Sequence, residues 1–188
     1  MKPQNLLLKL AGSLLTIAMT IGWLGQSSKA QEFYHFPASF FNPVANFYQS
    51  EDNPNIIDLL ANHDEFEIIT FLLKNEPSLT SLKQNKVTFL APTDKAFQAL
   101  PSDIRTKLFQ PENLSKLLRY HIIAQTIQEE DIKNREVETI SGDAVTITGF
   151  PVGNKFGVKL NEAIASEPLP AKNGVIVPID RVLLPPGF

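Results

Sequence analysis

Apolar positions along this chain repeat in two different ways. Ile56, Ile57, Leu59 and Leu60 recur at helical spacing, and so do Phe66, Ile69, Phe71, Leu72 and Leu73. Two amphipathic helices are predicted there, with Asp64 as N-cap of the second and Pro77 closing it. Leu79 and Leu82 suit a short turn or helix. Val87 to Ala91 is short, apolar and rich in β-formers, the pattern of a buried strand. Thr93-Asp94 then caps a short helix carrying Ala96, Phe97 and Leu100. Pro101 ends it, Ser102-Asp103 starts another through Phe109, and Pro111-Glu112 opens a third with Leu114, Leu117 and Leu118 on one face.

The period then changes. Tyr120 to Ala124 reads as a strand, followed by a short turn or helix near Glu129-Glu130-Asp131. Short β-rich runs follow with turn signals between them: Val137 to Ile140, Val145 to Thr148, Phe156 to Leu160, Ala163 to Ser166, Val175 to Val177 and Ile179 to Leu184. Gly149 to Asn154 reads as a loop between two of them. Helices first and strands after is an α+β arrangement with a small antiparallel sheet system.

The N-terminus follows neither pattern. Lys2 and Lys9 precede an apolar run to Leu24, and Ser28-Lys29-Ala30 offers small residues at the two positions a signal peptidase reads. Residues 1–30 are expected to be a secretory signal peptide, cleaved after Ala30. About fifteen apolar residues rise only about 23 Å as a helix, short of the roughly 30 Å hydrocarbon core. Residues 31–52 form an aromatic extension holding Phe33, Tyr34, Phe36, Phe40, Phe41, Phe47 and Tyr48. Disordered linkers are poor in aromatics. The segment is either a strap on the domain behind it or a surface for a partner or apolar ligand, with Phe40, Phe41, Phe47 and Tyr48 as ligand contacts.

Charge and cysteine content narrow the function. The chain has 188 residues and no cysteine, which removes disulfides, thiolate zinc sites and thiol catalysis. Loss of Lys2, Lys9 and Lys29 with the signal leaves 14 Lys+Arg against 20 Asp+Glu, a net charge of −6. Dispersed acidic charge disfavours nucleic acid and anionic lipid, which need concentrated Lys and Arg.

Thr88-Phe89-Leu90-Ala91-Pro92-Thr93-Asp94-Lys95-Ala96-Phe97 reads as a joint between strand and helix. It also resembles the first motif of the fasciclin-like domain family, T-V-F-A-P-T-[DN]-x-A-F. Leu117 to Ile123 resembles the family's Tyr-His motif, and Asn173 to Pro186 its second motif, N-G-V-I-H-V-I-D-x-V-L-L-P. The three occur in the family's order over about residues 53–186. The resemblance implies a wedge-shaped α+β fold, an antiparallel β-sandwich with helices packed on one side. It also implies an adhesive or matrix-binding role without catalysis, in a secreted, bacterial-type single domain. The family motifs nominate Thr93, Asp94, Tyr120, His121, Asn173 and Asp180 as binding residues. The family's His-Val is Val177-Pro178 here, so the last strand is expected at an edge or to carry a bulge. The Asp-Ile pair of animal matrix members is absent from Glu167 to Lys172, so integrin-type recognition is not implied.

Catalytic and metal readings find little support. His121 could be read as a base, but reads better as a partly buried histidine donating to a backbone carbonyl. Adjacent Tyr120 and His121 on a strand would point to opposite faces. His35 and His63 lack zinc spacing, and Glu129-Glu130-Asp131 lacks a calcium loop. No G-x-S-x-G elbow occurs. Asn113-Leu114-Ser115 fits the glycosylation pattern. The expectation is therefore a non-enzyme without cofactor or metal, secreted or periplasmic, binding an extracellular or envelope protein or polysaccharide. The alternative is carriage of an apolar small ligand such as a carotenoid.

Overall fold

The computed structural model describes residues 53–76, 79, 86–127, 129–153 and 155–188. Residues 1–30, expected as a signal peptide, and 31–52, expected as an aromatic extension with Phe40, Phe41, Phe47 and Tyr48, lie outside them, as do Pro77 and Leu82.

Helices lead, as the periodicity predicts. Helix α1 spans Ile56–Ala61 and buries Ile56 and Leu60, with the Asn55 side chain accepting from the Asp58 N–H at 3.0 Å. A 3₁₀ turn, Asp64–Phe66, leads into α2, Glu67–Lys74, which buries Ile69, Leu72 and Leu73. Asp64 does not cap α2, because the helix begins three residues later and Phe66 holds the N-cap position without a side-chain bond. Phe71, expected on the apolar face, is instead 65% exposed. It follows Ile69 by two positions, which on a helix turns it away from the core. Helices α3, Asp94–Gln98, α4, Ser102–Leu108, and α5, Pro111–Tyr120, complete the layer. Pro111 opens α5, where its missing N–H costs no helical bond.

The strands are β1 (Val87–Pro92), β2 (Ile122–Ile123), β3 (Glu136–Glu138), β4 (Ala144–Val152), β5 (Lys155–Leu160), β6 (Ala163–Ala165), β7 (Leu169–Ala171) and β8 (Gly174–Ile179). A sixth helix, α6, Glu129–Asn134, lies between β2 and β3. The sheet order is β2-β1-β8-β6-β5-β4-β3, with β7 also paired to β8. Every pairing is antiparallel except β1 with β8, which runs parallel from Val87↔Gly174 to Pro92↔Ile179.

β1 is buried along its whole length because it separates two cores. Val87, Phe89 and Ala91 face the helices and pack with Phe66, Leu117 and Ile176. Leu90 faces the opposite way, into a core of Tyr120, Val145, Ile147, Val158 and Val177 enclosed by the curled sheet. Strands covered on both faces read as continuous apolar runs, and this one does.

Three strand expectations change. The strand foreseen at Tyr120–Ala124 shrinks to Ile122–Ile123, because Tyr120 still belongs to α5 and His121 is its C-cap. The loop foreseen at Gly149–Asn154 is mostly strand: β4 continues through Pro151 to Val152, and its turn begins at Gly153, with φ of 58°. The last strand is interior rather than an edge, and ends at Ile179 rather than Leu184. Pro178 fits there because β8 changes neighbours at that point. β7 pairs with residues 174–176 and β6 with Ile179, while the Pro178 carbonyl accepts from the Ser166 N–H at 2.8 Å. A strand residue's N and O point to the same side, so the missing N–H faces Ser166, one residue past the end of β6, and this pair keeps one hydrogen bond where two would otherwise form.

Candidate functional site

The nominated side chains sit at junctions, and each hydrogen-bonds across one. Thr93 follows β1 and accepts from the Ala96 N–H at 3.4 Å, capping α3. Asp94 reaches back to a helix that precedes it in the chain. Its carboxylate accepts from the Ile68 N–H at 2.9 Å and the Glu67 N–H at 3.3 Å, supplying the cap that α2 lacks locally. A carboxylate there also complements the helix dipole.

Tyr120 and His121 are both buried, at 2% and 0% exposure. Their rings stand edge to face, 6.4 Å apart and 86° between planes. The Tyr120 hydroxyl donates to the Ala144 carbonyl at 3.0 Å and accepts from the Asn161 amide at 2.9 Å. Asn161 in turn accepts from the Thr146 N–H at 2.9 Å and holds a positive φ of 50°. The imidazole of His121 bonds on both sides. Nδ1 lies 2.8 Å from the Leu117 carbonyl, and Nε2 accepts from the Leu183 N–H at 3.1 Å. A carbonyl only accepts and an amide N–H only donates, so these partners assign the neutral tautomer protonated on Nδ1. Burial pushes its pKa from 6.5 down to about 4, with the Leu117 hydrogen bond opposing.

Asn173 is buried, and its side-chain oxygen accepts from the Ile56 N–H at 2.8 Å, fastening the start of α1 to the β7–β8 turn. The Lys172 N–H donates to the Pro54 carbonyl at 3.0 Å beside it. Gly174 follows because a Cβ there would meet the Val87 carbonyl oxygen at 1.9 Å. Asp180 is exposed, and its carboxylate accepts from the Ile164 N–H at 2.6 Å while its own N–H donates to the Ile164 carbonyl.

These residues are therefore distributed over several junctions rather than gathered into one pocket. Sequence reasoning did not single out Asn161, or Thr88, whose hydroxyl donates to the Gln125 carbonyl at 2.8 Å. The turn around Asn161 was a readable signal, since asparagine tolerates left-handed backbone. Asn113 uses its amide nitrogen, the atom a glycan would take, to donate to the Lys107 carbonyl at 2.9 Å. Among the described residues, no group of three or more His, Cys, Asp or Glu is placed to hold a metal ion. None of their helices is long and apolar enough to cross a membrane.

Among the described residues, two depressions lie on the helical side. One, about 180 Å³, is apolar and lies among Ile68 of α2, Phe97 and Leu100 on or after α3, and Leu108 and Phe109 on or after α4, with Arg105 at its edge. The other, about 280 Å³, lies between α1 and α2 and is lined by Leu60, His63, Glu67, Thr70, Phe71 and Lys74.

The α+β sandwich, its helical layer and its junction-bonded motif residues define a fasciclin domain. A family model of that domain matches residues 64–185, and the chain belongs to the family. It is 36% identical to Protein sll1483 of Synechocystis sp., over 70% of this chain and 73% of that protein. It is 28% identical to transforming growth factor-beta-induced protein ig-h3 of Sus scrofa, over 70% of this chain but only 19% of that protein. Among solved structures, it resembles a FAS1 domain pair from the insect cell adhesion molecule Fasciclin I. The TM-score is 0.50 at 19% identity, covering 62% of this chain and 44% of that one.

Proposed function

We propose that the mature chain, residues 31–188, is a secreted or periplasmic, non-catalytic fasciclin domain. It mediates adhesion or envelope association by binding an extracellular protein or polysaccharide. One observation carries this reading. The polar side chains of the motifs are directed at backbone groups of other segments, from the Asp94 cap on α2 to the His121 bridge between Leu117 and Leu183. In this reading they hold a rigid platform, and recognition falls to its exposed surface. A rigid scaffold presenting its outer residues is a common arrangement for binding modules. The test is retention of cells of the native source on a surface coated with the mature protein. Retention well above that on an unrelated acidic protein is expected. Equal retention on both would sink the proposal.

The second reading, carriage of an apolar ligand, draws support from the groove among Ile68, Phe97 and Phe109. At about 180 Å³ it is smaller than the roughly 300–1,000 Å³ usual for enclosed ligand sites, so it would hold only part of a carotenoid-sized molecule. An absorbance spectrum and native mass of protein purified from its own source decide this reading. A visible band with matching extra mass supports it, and a clean spectrum at the polypeptide mass removes it.

A further inference from the structure

Helix α2 carries a stripe of side chains that the junction bonds do not use. Glu67, Thr70, Phe71 and Lys74 are spaced i, i+3, i+4 and i+7, so a carboxylate, a hydroxyl, a phenyl ring and an ammonium share one face. Asp64 of the 3₁₀ turn joins them in lining the depression of about 280 Å³ between α1 and α2. Three observations mark this depression as a binding site. The side chains of Asp64, Glu67 and Lys74 make no hydrogen bond or ion pair among the described residues. Thr70 is only 7% exposed, and its hydroxyl is the one buried side-chain polar atom among the described residues without a partner in the protein. Native structures seldom leave such an atom unmatched. Phe71, 65% exposed, places an apolar ring beside these polar groups.

The combination selects a class of ligand. Two carboxylates against one ammonium disfavour an anion. Charged walls disfavour a wholly apolar molecule, which would strip them of water without bonding to them. A neutral pyranose meets every group at once. Its hydroxyls both donate and accept, so they can satisfy the carboxylates, Lys74 and Thr70 together, while its C–H face packs on the Phe71 ring. A quaternary ammonium would suit Phe71 and the carboxylates, but it would face the charge of Lys74 and offer Thr70 no hydrogen bond.

We propose that the depression between α1 and α2 binds one neutral hexopyranose unit of an extracellular polysaccharide. Phe71 is its stacking platform, and Asp64, Glu67 and Lys74 are its hydroxyl contacts. The inference rests on the adhesive reading and gives that reading a polysaccharide partner and a place on the platform.

The test is a set of amide NMR titrations with methyl glucoside, methyl galactoside, methyl mannoside, sodium glucuronate and tetramethylammonium chloride. The same spectra report whether each variant is folded. At least one methyl glycoside should shift the amides of residues 60–74, with a Kd in about the millimolar range for so small a probe. Phe71→Ala should weaken that binding about tenfold. Phe109→Ala removes an aromatic that is 58% exposed outside the depression, and should leave binding unchanged. Silence with all three glycosides overturns the proposal. So does glucuronate binding as tightly as the glycosides, tetramethylammonium binding in their place, or equal loss from the two phenylalanine variants. Cell retention separates this inference from the adhesive reading. Retention without glycoside binding removes the sugar site and leaves adhesion standing, while glycoside binding without retention upholds the site and removes adhesion.

Discussion

Leu183 donates its backbone N–H to Nε2 of His121 at 3.1 Å, and this bond ties the C-terminal segment to the end of α5. The same ring donates from Nδ1 to Leu117, so one neutral imidazole serves two segments that are far apart in sequence. Protonation would turn Nε2 from an acceptor into a donor facing another donor. Burial opposes the charged form as well.

A pH dependence follows. The folded pKa of about 4 lies below the unfolded value of 6.5. Between those values the unfolded chain binds a proton that the folded chain refuses. The His121 contribution is therefore complete above about pH 6.5, declines as pH falls toward 4, and changes little below that. The total loss is on the order of 3 kcal/mol. Urea midpoints at pH 7.5, 5.5 and 4.5 should fall in that order, and the His121 ring should show no protonation shift by NMR above about pH 5.

Asp94 caps a helix that begins before it in the chain. Asp94→Ala should cost about 1–2 kcal/mol in urea unfolding, the range of a lost N-cap, while Asp94→Asn retains part of it. Asp64→Ala should stay within about 0.5 kcal/mol of wild type, as surface substitutions usually do. Equal effects at the two positions would contradict the assignment of the cap.

Gly174 and Gly153 should behave differently as alanine. At Gly174 the added carbon would lie 1.9 Å from the Val87 oxygen, so β1 and β8 must separate at the start of their ladder. Gly174→Ala should cost on the order of 3 kcal/mol or more and lower the soluble yield sharply. Gly153 has φ of 58° and open space around its added carbon, so Gly153→Ala should cost only about 1–2 kcal/mol. Thermal midpoints of the two variants check this ordering.

Asn173→Ala strands the Ile56 N–H, which the side chain satisfies in a buried position. A loss of about 1–3 kcal/mol is expected. Hydrogen exchange should show the opening first at Ile56–Ala61, because that helix loses its fastening to the β7–β8 turn. Uniform deprotection of the whole domain would contradict a local role.

The parts legible in the sequence were those set by near neighbours. Val87 to Phe97 announces strand, stop, cap and helix within eleven positions, and the structure follows it from β1 through the Thr93 cap into α3. The parts that were not legible depend on distant partners. Asp64 looked like the cap because it lies near α2, but the bond comes from Asp94, 26 residues from Ile68. Pro178 suggested an edge strand by its chemistry, and only the exchange of β7 for β6 explains its interior place. The parallel pairing of β1 with β8 joins segments about 87 residues apart, and nothing local encodes it. The motif residues were found by resemblance, yet their scatter over several junctions became visible only once the chain was folded.

The central claim is that these motif side chains hold the platform and do not touch the partner. The most direct measurement is retention of source cells by surfaces coated with wild type, Asn173→Ala and Asp94→Asn, normalised to folded protein on each surface. The account predicts equal retention per folded molecule, with the variants differing only in urea midpoint. A variant of undiminished stability that loses retention would place the motif at the contact and contradict the account.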